Sequence, residues 1–383
     1  MRNVEIHLAT PRGRWLYSLD AASAFEAHKV VNAVGDFWLS IPKTEFYRYV
    51  DWIMLSYVGD PLQVDRTVQF WVDGRLWNSY FLLKWRRTRS EDGQELLLLG
   101  GYDMNHLLWR RVVASYEGEA EAVMTDYADD MMKAVVTDSM EDGASPAPDA
   151  GTRAWADLRV ATDTSDGPSI TLSFPFEKLL SLRGSTGVLP KIAKASREAG
   201  TEVFFGVQPA AISSTATTWQ FRTATGQPGA DLTAGNHRII FNADDGTLSD
   251  ASYTVDYSQA ENYIYGLGQG DKDDQKVEQE YDAARYNRSY CGRCEGTLKA
   301  SGMEDDEVEA ATQAALSERR PKITFSGTPI DTPTQSLGIH YDVGDLVIAK
   351  GFGQEFDAVV MSGTIGKNER GESYSRAKLD YRE

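Results

Sequence analysis

A long aromatic-rich segment, residues 75–89, lies between two turn signals and constrains the fold more than any other part of the sequence. Residues 73–74 (DG) precede it and residues 91–93 (EDG) follow it, and such steps tolerate the positive φ of tight hairpins. Strand-like runs stand on the outer side of both turns, at residues 68–72 and 95–99. The pattern therefore predicts two hairpins in series.

Further short strands are predicted towards both ends of the chain. They cover residues 36–42, 52–57, 239–241, 252–257, 322–325, 345–348, 358–361 and 377–381. Many short strands at this spacing are typical of a barrel or a sandwich. Both ends of the chain are therefore predicted to form β-domains.

The middle of the chain has a different pattern. Apolar residues recur every four positions from Val123 to Val135, which predicts a helix. A second helix is predicted over residues 188–199, and a strand at 202–205 follows it. A third helix, around residues 308–316, interrupts the later strands. The region between the two β-domains is therefore predicted to be α/β.

The length of the chain exceeds the roughly 250–300 residues that one hydrophobic core usually serves, so several domains are expected. The predicted fold is mainly β with an α/β insert. Residues 1–112 form a first β-barrel domain, and residues 113–235 form an α/β middle domain with an irregular loop at 139–152. Residues 236–383 form a second β-barrel domain, which a helical insert at 276–321 interrupts.

The formal net charge of −18 is concentrated in three acidic segments, residues 117–149, 271–282 and 302–309. No cluster of Lys and Arg matches the surface that a nucleic acid duplex requires. No run of about 18 apolar residues occurs, and the first residues lack the apolar stretch of a secretory signal. We therefore expect synthesis in a cytoplasm, no membrane segment and no specific nucleic-acid binding.

Patterns that carry catalysis or ligand binding are few. Cys291 and Cys294 form a CxxC pair, but structural zinc would need two more ligands, and a redox role would need a thioredoxin-like setting. Aspartates in residues 271–274 follow the glycine-rich run 266–270 (GLGQG), where they would repel a dinucleotide phosphate, and they lack calcium-loop spacing. The five histidines form no known catalytic motif. We predict no catalytic, cofactor-binding or metal-binding residues.

Two other functions stay open. The first is a glycan-binding host-adhesion module, because exposed tryptophans can stack on sugars or fill partner pockets. Seven of the nine tryptophans lie in the first 110 residues: Trp15, Trp38, Trp52, Trp71, Trp77, Trp85 and Trp109. We favour a tryptophan-rich barrel interior or a large subunit interface. The second is a cell-wall hydrolase with a carboxylate pair, although most acids lie in the acidic segments, where a solvated surface is the simpler explanation.

Three segments carry a family resemblance. Residues 32–42 (NAVGDFWLSIP), 101–111 (GYDMNHLLWRR) and 337–347 (LGIHYDVGDLV) occur in this order, with residues 262–270 and 317–320 between the last two. Their order and spacing resemble the siphophage baseplate hub family, which includes the N-terminal part of tail-associated lysins. The likeness covers nearly the whole chain. It departs from the family pattern at the CxxC pair and at a glycine that the family places after the tyrosine of the third segment.

The resemblance implies a non-enzymatic structural protein of a phage tail tip or a related injection particle, with two β-barrel domains of the baseplate hub type. It implies a homotrimer that presents six near-equivalent faces, as an adaptor between a hexameric distal tail ring and a trimeric tip. The implied partners are the distal tail protein, the tape measure protein and tip or fibre proteins. DNA would pass through its channel without specific binding. We expect a location in the virion tail tip, no cofactor, and no catalytic domain after the last strand.

Overall fold

The computed structural model describes residues 3–46, 66–89, 93–113, 122–140, 155, 158–174, 176–212, 217–270, 275–289, 292–300 and 305–382. The chain forms two compact units, the first made of Met1–Asp250 and Gly327–Leu379, the second of Ala251–Ser326 and Asp380–Glu383. The strand predicted at 52–57 lies outside the described residues, and so does the loop predicted at 139–152, except for its first two residues. None of the described helices combines the length and the apolar composition that a membrane span requires.

Most of the described strands belong to one 13-stranded sheet. Numbered along the chain, they are β1 (Val4–Ala9), β2 (Trp15–Ser18), β3 (Ala24–Val30), β4 (Asp36–Pro42), β5 (Thr67–Val72), β6 (Arg75–Arg89), β7 (Glu95–Asp103), β13 (Ile240–Asn242), β14 (Leu248–Asp256), β18 (Lys322–Pro329), β19 (Leu346–Gly351), β20 (Gln354–Lys367) and β21 (Ser373–Arg382). Their order is β14-β18-β21-β20-β3-β4-β7-β6-β5-β1-β2, with β19 paired to β20 and β13 paired to β19. Two short helices, α1 (Lys43–Phe46) and α2 (His106–Trp109), follow β4 and β7.

The two hairpins predicted from the sequence are confirmed. Strands β5, β6 and β7 pair antiparallel in series, and both residues of the turn at 73–74 have positive φ. Strand β6 begins and ends at the predicted residues. Alternate side chains of these strands face an aromatic core, in which the Phe70 ring centroid lies 5.6–5.8 Å from those of Phe25, Phe37 and Tyr80.

Strands from the two ends of the chain lie in the same sheet, because β20 pairs antiparallel with β3. The register runs from Ser362 opposite Val30 to Lys367 opposite Phe25. The prediction of a mainly β fold is therefore confirmed. Closure of these strands into two separate barrels and the three-domain division at residues 112 and 235 remain predictions.

An α/β insertion separates the N-terminal strands from the later ones, as predicted. Its elements are β8 (Ala122–Tyr127), α3 (Ala128–Met140), β9 (Leu158–Val160), β10 (Ser169–Phe174), α4 (Val188–Glu198), β11 (Val203–Ile212) and β12 (Thr217–Thr225). Strand β8 pairs with β10, while β12 pairs antiparallel with β11 and parallel with β9. Both helices contribute buried side chains to one apolar core, which includes Met131, Ile192 and Trp219.

The first predicted helix begins later than its apolar repeat indicates. Residues 122–127 form strand β8, in which Val123 and Tyr127 are 69% and 43% exposed. The backbone of this segment pairs with β10, and its alternate side chains share a face at strand spacing. The helix begins at Ala128, and the two aspartates in its first turn stabilise it by interacting with the positive end of the helix dipole. The prediction that Val123 lies in the helix is therefore wrong.

The second unit contains a small sheet and two helices. Its elements are β15 (Tyr263–Leu267), β16 (Val277–Tyr281), α5 (Ala283–Arg288), β17 (Glu295–Lys299) and α6 (Asp305–Glu318). Strand β15 is central, antiparallel to β16 and parallel to β17. A Cβ at Gly266 would lie 1.9 Å from Thr312 Oγ1, so the glycine lets helix α6 approach the strand closely. The glycine-rich run 266–270 therefore begins in β15 and continues past its end at Leu267.

Candidate functional site

The residues that the sequence singles out for chemistry do not come together in the described part of the chain. Cys291 lies outside the described residues. Cys294 is half-buried, and its backbone N–H donates to Asn262 Oδ1 at 2.8 Å. The acidic residues 271–274 also lie outside the described ranges. Among the described residues, no group of three or more His, Cys, Asp or Glu side chains could hold a metal ion.

The histidines are dispersed, and four of the five have local partners. His7 pairs with Trp15, His28 with Asp36, His106 with Tyr102, and His340 with the N–H of Ser336. Burial, followed by the positive charges of Arg110 and Lys178, lowers the pKa of His106 to about 4. This ring is therefore uncharged at neutral pH, which suits its place in an aromatic stack.

The three segments that carry the family resemblance meet around the phenol of Tyr80. This side chain is buried on β6, and its hydroxyl donates to His28 O at 3.0 Å. Each segment contributes one aspartate whose charge acts on the phenol: Asp36, Asp103 and Asp342. Burial, followed by the charge of Asp103, raises the pKa of Tyr80 well above its ordinary value. We call Tyr80 and these three aspartates the Tyr80 junction.

The first two segments pack backbone against backbone at this junction. Asp103 donates its N–H to Gly35 O at 2.9 Å, and its Oδ1 accepts from Asn105 N–H at 3.0 Å. Burial raises the pKa of the Asp103 carboxyl to about 8, against the lowering effect of hydrogen bonds from backbone N–H groups. A Cβ on Gly35 would lie 2.2 Å from a backbone oxygen, and a Cβ on Gly101 would lie 1.7 Å from Phe81 O. Both positions therefore require glycine, because any side chain would overlap the neighbouring backbone.

The third segment is attached to the N-terminal strands by charged side chains. Asp342 accepts from Lys29 Nζ at 2.8 Å and from Trp77 Nε1 at 3.1 Å. Asp345 in turn accepts from the backbone N–H groups of Asp342 at 2.7 Å and Ala230 at 2.8 Å. Because Lys29 lies on β3 and Trp77 on β6, the segment before β19 is held against both strands.

Two asparagines of the first two segments hold the α/β insertion. Asn32 Oδ1 accepts from Phe205 N–H at 2.8 Å. Asn105 Oδ1 accepts from Val207 N–H at 2.8 Å, and its Nδ2 donates to Ala33 O at 2.7 Å. Both asparagines therefore bind alternate residues of β11. Sequence reasoning did not single them out, because these strand partners lie 173 and 102 residues away along the chain.

We expect Asn105→Ala to lower the free energy of unfolding by about 2–4 kcal/mol, because Val207 N–H and Ala33 O would each lose a buried partner at about 1–3 kcal/mol. Urea titration of the purified protein measures this change. Asn236→Ala is the control, since Asn236 is exposed in a loop and should change stability by less than about 0.5 kcal/mol. Equal losses in the two variants would contradict a specific role for Asn105.

The tryptophans singled out from the sequence fall into different environments. Trp77 is buried, with its indole N–H on Asp342, as an internal role predicts. Trp15 and Trp38 are 47% and 42% exposed. Trp52 lies outside the described residues. An internal role therefore holds for Trp77 and fails for the two exposed indoles.

A family model describing the Siphovirus ReqiPepy6 Gp37-like protein matches residues 4–374. The match includes the three segments and the whole Tyr80 junction. The chain belongs to this family. The resemblance to siphophage proteins that the sequence indicated is therefore confirmed. A search among curated proteins gave no match.

Two solved structures share the fold of this Gp37-like family member over nearly their whole length. The tail protein from Neisseria meningitidis MC58 is 12% identical with a TM-score of 0.53, and the match covers 99% of this chain and 97% of that one. The 43 kDa tail protein of prophage MuSo2 from Shewanella oneidensis is 11% identical with a TM-score of 0.52, over 98% of both chains. At these identities the likeness establishes a shared fold. The Gp37-like chain therefore has the fold of phage tail proteins.

Proposed function

We propose that this protein is a structural hub of a siphovirus tail tip, in which it acts as a homotrimeric adaptor between a hexameric distal tail ring and a trimeric tip. Family membership and the fold of tail proteins support the proposal. The observation that carries it is the pairing of β20 with β3, together with the Tyr80 junction. These contacts hold strands from both chain ends in one body, and an adaptor needs such fixed faces.

The symmetry argument rests on two β-domains in each chain. In this proposal the domains at residues 1–112 and 236–383 present similar faces, and the α/β domain at 113–235 joins them. Three copies then offer six near-equivalent faces to a sixfold ring while keeping threefold symmetry towards the tip. The distal tail protein would bind on one side and tip or fibre proteins on the other. The tape measure protein and DNA would occupy the central channel of the virion tail tip.

The proposed role needs no catalysis. The carboxyl groups at the centre of the junction accept hydrogen bonds from backbone and structural donors, namely Asn105 N–H on Asp103, and Lys29 and Trp77 on Asp342. A carboxyl group occupied in this way supports structure, whereas a catalytic acid or base faces substrate or water. These contacts favour a structural role over that of a hydrolase.

We expect the purified full-length protein to have three times the monomer mass by light scattering, and to form rings of threefold symmetry in negative-stain images. Mixed with the distal tail protein of the same phage, three copies should bind one ring of six. A hub that stays monomeric with this partner, or that forms rings of another order, would contradict the adaptor. Incubation with peptidoglycan should release no soluble fragments.

A further inference from the structure

An exposed tryptophan is held in one orientation on the outer face of β1, β2 and β5. Trp15, on the last strand in the sheet order, stacks on His7 with ring centroids 3.8 Å apart and an interplanar angle of 9°. Its Nε1 donates to Gln69 Oε1 at 3.0 Å, and the same oxygen accepts from Trp71 Nε1 at 3.1 Å. We call Trp15, His7, Gln69 and Trp71 the Trp15 platform.

One face of the Trp15 indole is covered by neither of the other rings. The Trp71 centroid lies 5.3 Å from that of Trp15 and 6.4 Å from that of His7. With 3.8 Å between His7 and Trp15, these distances form a triangle with nearly a right angle at Trp15. Trp71 therefore stands beside the edge of the indole, while His7 covers one face. Trp15 as a whole is 47% exposed, so the residue keeps accessible surface besides these two ring contacts.

The carboxamide oxygen of Gln69 orients both indoles, while its amide nitrogen has no hydrogen-bond partner among the described residues. Its side chain is 1% exposed, and Nε2 makes no hydrogen bond with any described residue. Buried polar atoms without partners are rare because each one destabilises the fold. Such unsatisfied groups are expected at sites where the position of a side chain matters more for function than its contribution to stability. The carboxamide thus lies where its oxygen can bind two indole N–H groups at once.

The form of the platform favours one kind of ligand. Cations are typically bound between several aromatic faces, whereas here His7 already covers one of the two faces of the Trp15 indole. A protein interface needs a wide surface around its central aromatic residues. Among the side chains of β1, β2 and β5, all of which the structure describes, Trp15 is the one large hydrophobic side chain that is exposed. One free face of the Trp15 indole can therefore stack against one flat ring of a ligand.

We propose that the open face of Trp15 is a stacking site for one sugar ring of an oligosaccharide. The C–H groups on one face of a pyranose carry partial positive charge and attract the negative face of the indole. Burial lowers the pKa of His7, against the raising effect of Glu5, so the ring under the indole is uncharged at neutral pH. Glu5, whose side chain is 45% exposed, lies beside His7, on the side of the indole away from the open face. Its negative charge disfavours nucleotide phosphates in this region.

The test uses the intact protein labelled with 5-fluorotryptophan and observed by fluorine NMR. The Trp15 resonance is assigned from the spectrum of Trp15→Phe. The probes are oligosaccharides of N-acetylglucosamine, glucose, galactose, rhamnose and galacturonic acid. At least one probe should shift the Trp15 resonance saturably and leave the Trp38 resonance in place. Trp15→Ala should weaken that binding by about tenfold or more, which is the effect of losing one stacked ring.

Trp38→Ala is the matched control, because Trp38 is almost as exposed but lies on β4 outside the platform. It should bind the sugar as the unmodified protein does. Trp15→Phe keeps a ring face but loses the bond to Gln69, so it should bind with intermediate affinity. The proposal is overturned if no probe moves the Trp15 resonance, or if sugar binding survives Trp15→Ala. It is also overturned if the resonance responds to thymidine oligonucleotides, to choline or to oligomerisation but to no sugar.

Discussion

Replacing Lys133 by Met is expected to lower the free energy of unfolding by about 3–5 kcal/mol, because two buried carboxylates would lose their cation. Lys133 lies in helix α3, and its side chain is 3% exposed. Its Nζ donates to Asp129 Oδ2 at 3.0 Å and to Asp130 Oδ1 at 2.9 Å. Breaking a buried pair on one side leaves an uncompensated charge, which is far more destabilising than the loss of a surface pair.

Hydrogen bonds complete the surroundings of these three charges. The third Nζ donor of Lys133 reaches Thr164 Oγ1 at 3.0 Å. Asp129 Oδ1 accepts from Gly167 N–H at 2.8 Å, and Asp130 Oδ2 accepts from Ser165 N–H at 3.0 Å. The network therefore ties the segment between β9 and β10 to the first turn of α3. Loss of Lys133 would loosen this segment as well as expose two charges to each other.

The pH dependence follows from the carboxylates. Burial opposes ionisation of Asp129, but hydrogen bonds from Thr164, Gly167 and Lys133 outweigh it and hold the pKa below its ordinary value. A lowered carboxyl pKa adds stability above the unfolded-state value, near pH 4, and that stability is lost as the pH falls towards the folded-state value. The difference in the free energy of unfolding between the wild-type protein and Lys133→Met should therefore shrink in acid, where the Asp129 carboxyl becomes neutral.

Lys194→Met on helix α4 is the matched control. Lys194 pairs with Glu198 one turn later, but their side chains are 67% and 52% exposed. Its replacement should change stability by less than about 0.5 kcal/mol. Urea titrations at neutral and acidic pH compare the variants. If Lys133→Met lost no more stability than Lys194→Met, the network would contribute nothing beyond a surface ion pair.

Local patterns predicted the strands well, because their determinants are local. The bounds of β6 followed from two Asp-Gly turns that need positive φ, and helix α4 was confirmed almost to the residue. The start of α3 was predicted wrongly because Val123 and Tyr127 are spaced like a helix face although they lie in a strand. The acidic pair Asp129 and Asp130 was the better signal, since acids favour the first turn of a helix.

The candidate site was predictable only as three separate segments. Nothing in residues 32–42, 101–111 or 337–347 shows that they surround Tyr80, because the contacts depend on strand pairing across the whole chain. The exposure of Trp15 was equally hidden. Its strand alternation allowed a core position, and only the place of β2 in the sheet and the stack on His7 show the open face.

Adjacent glycines on β7 provide the second large expected effect. Gly101→Ala should lower the free energy of unfolding by about 3 kcal/mol or more, because the added methyl group overlaps backbone that cannot move aside. The Cβ would lie 1.7 Å from Phe81 O and 2.9 Å from Phe81 C. The pairing of β6 with β7 is irregular between Leu82 and Lys84, beside this glycine. Relief of the overlap would have to separate β6 from β7 next to the Tyr80 junction.

Gly100→Ala tests the same substitution one residue earlier, where side chains face the other side of the sheet. Its Cβ would meet Phe37 O at 3.2 Å, a tight contact that a small shift relieves. Alanine also restricts the unfolded chain more than glycine does, which offsets part of the strain. The free energy of unfolding of Gly100→Ala, measured by urea titration, should therefore lie within about 1 kcal/mol of the wild-type value. Similar losses of stability at both positions would mean that β7 excludes a side chain for some reason other than the close approach of β6. The packing argument for the second family segment would then fail.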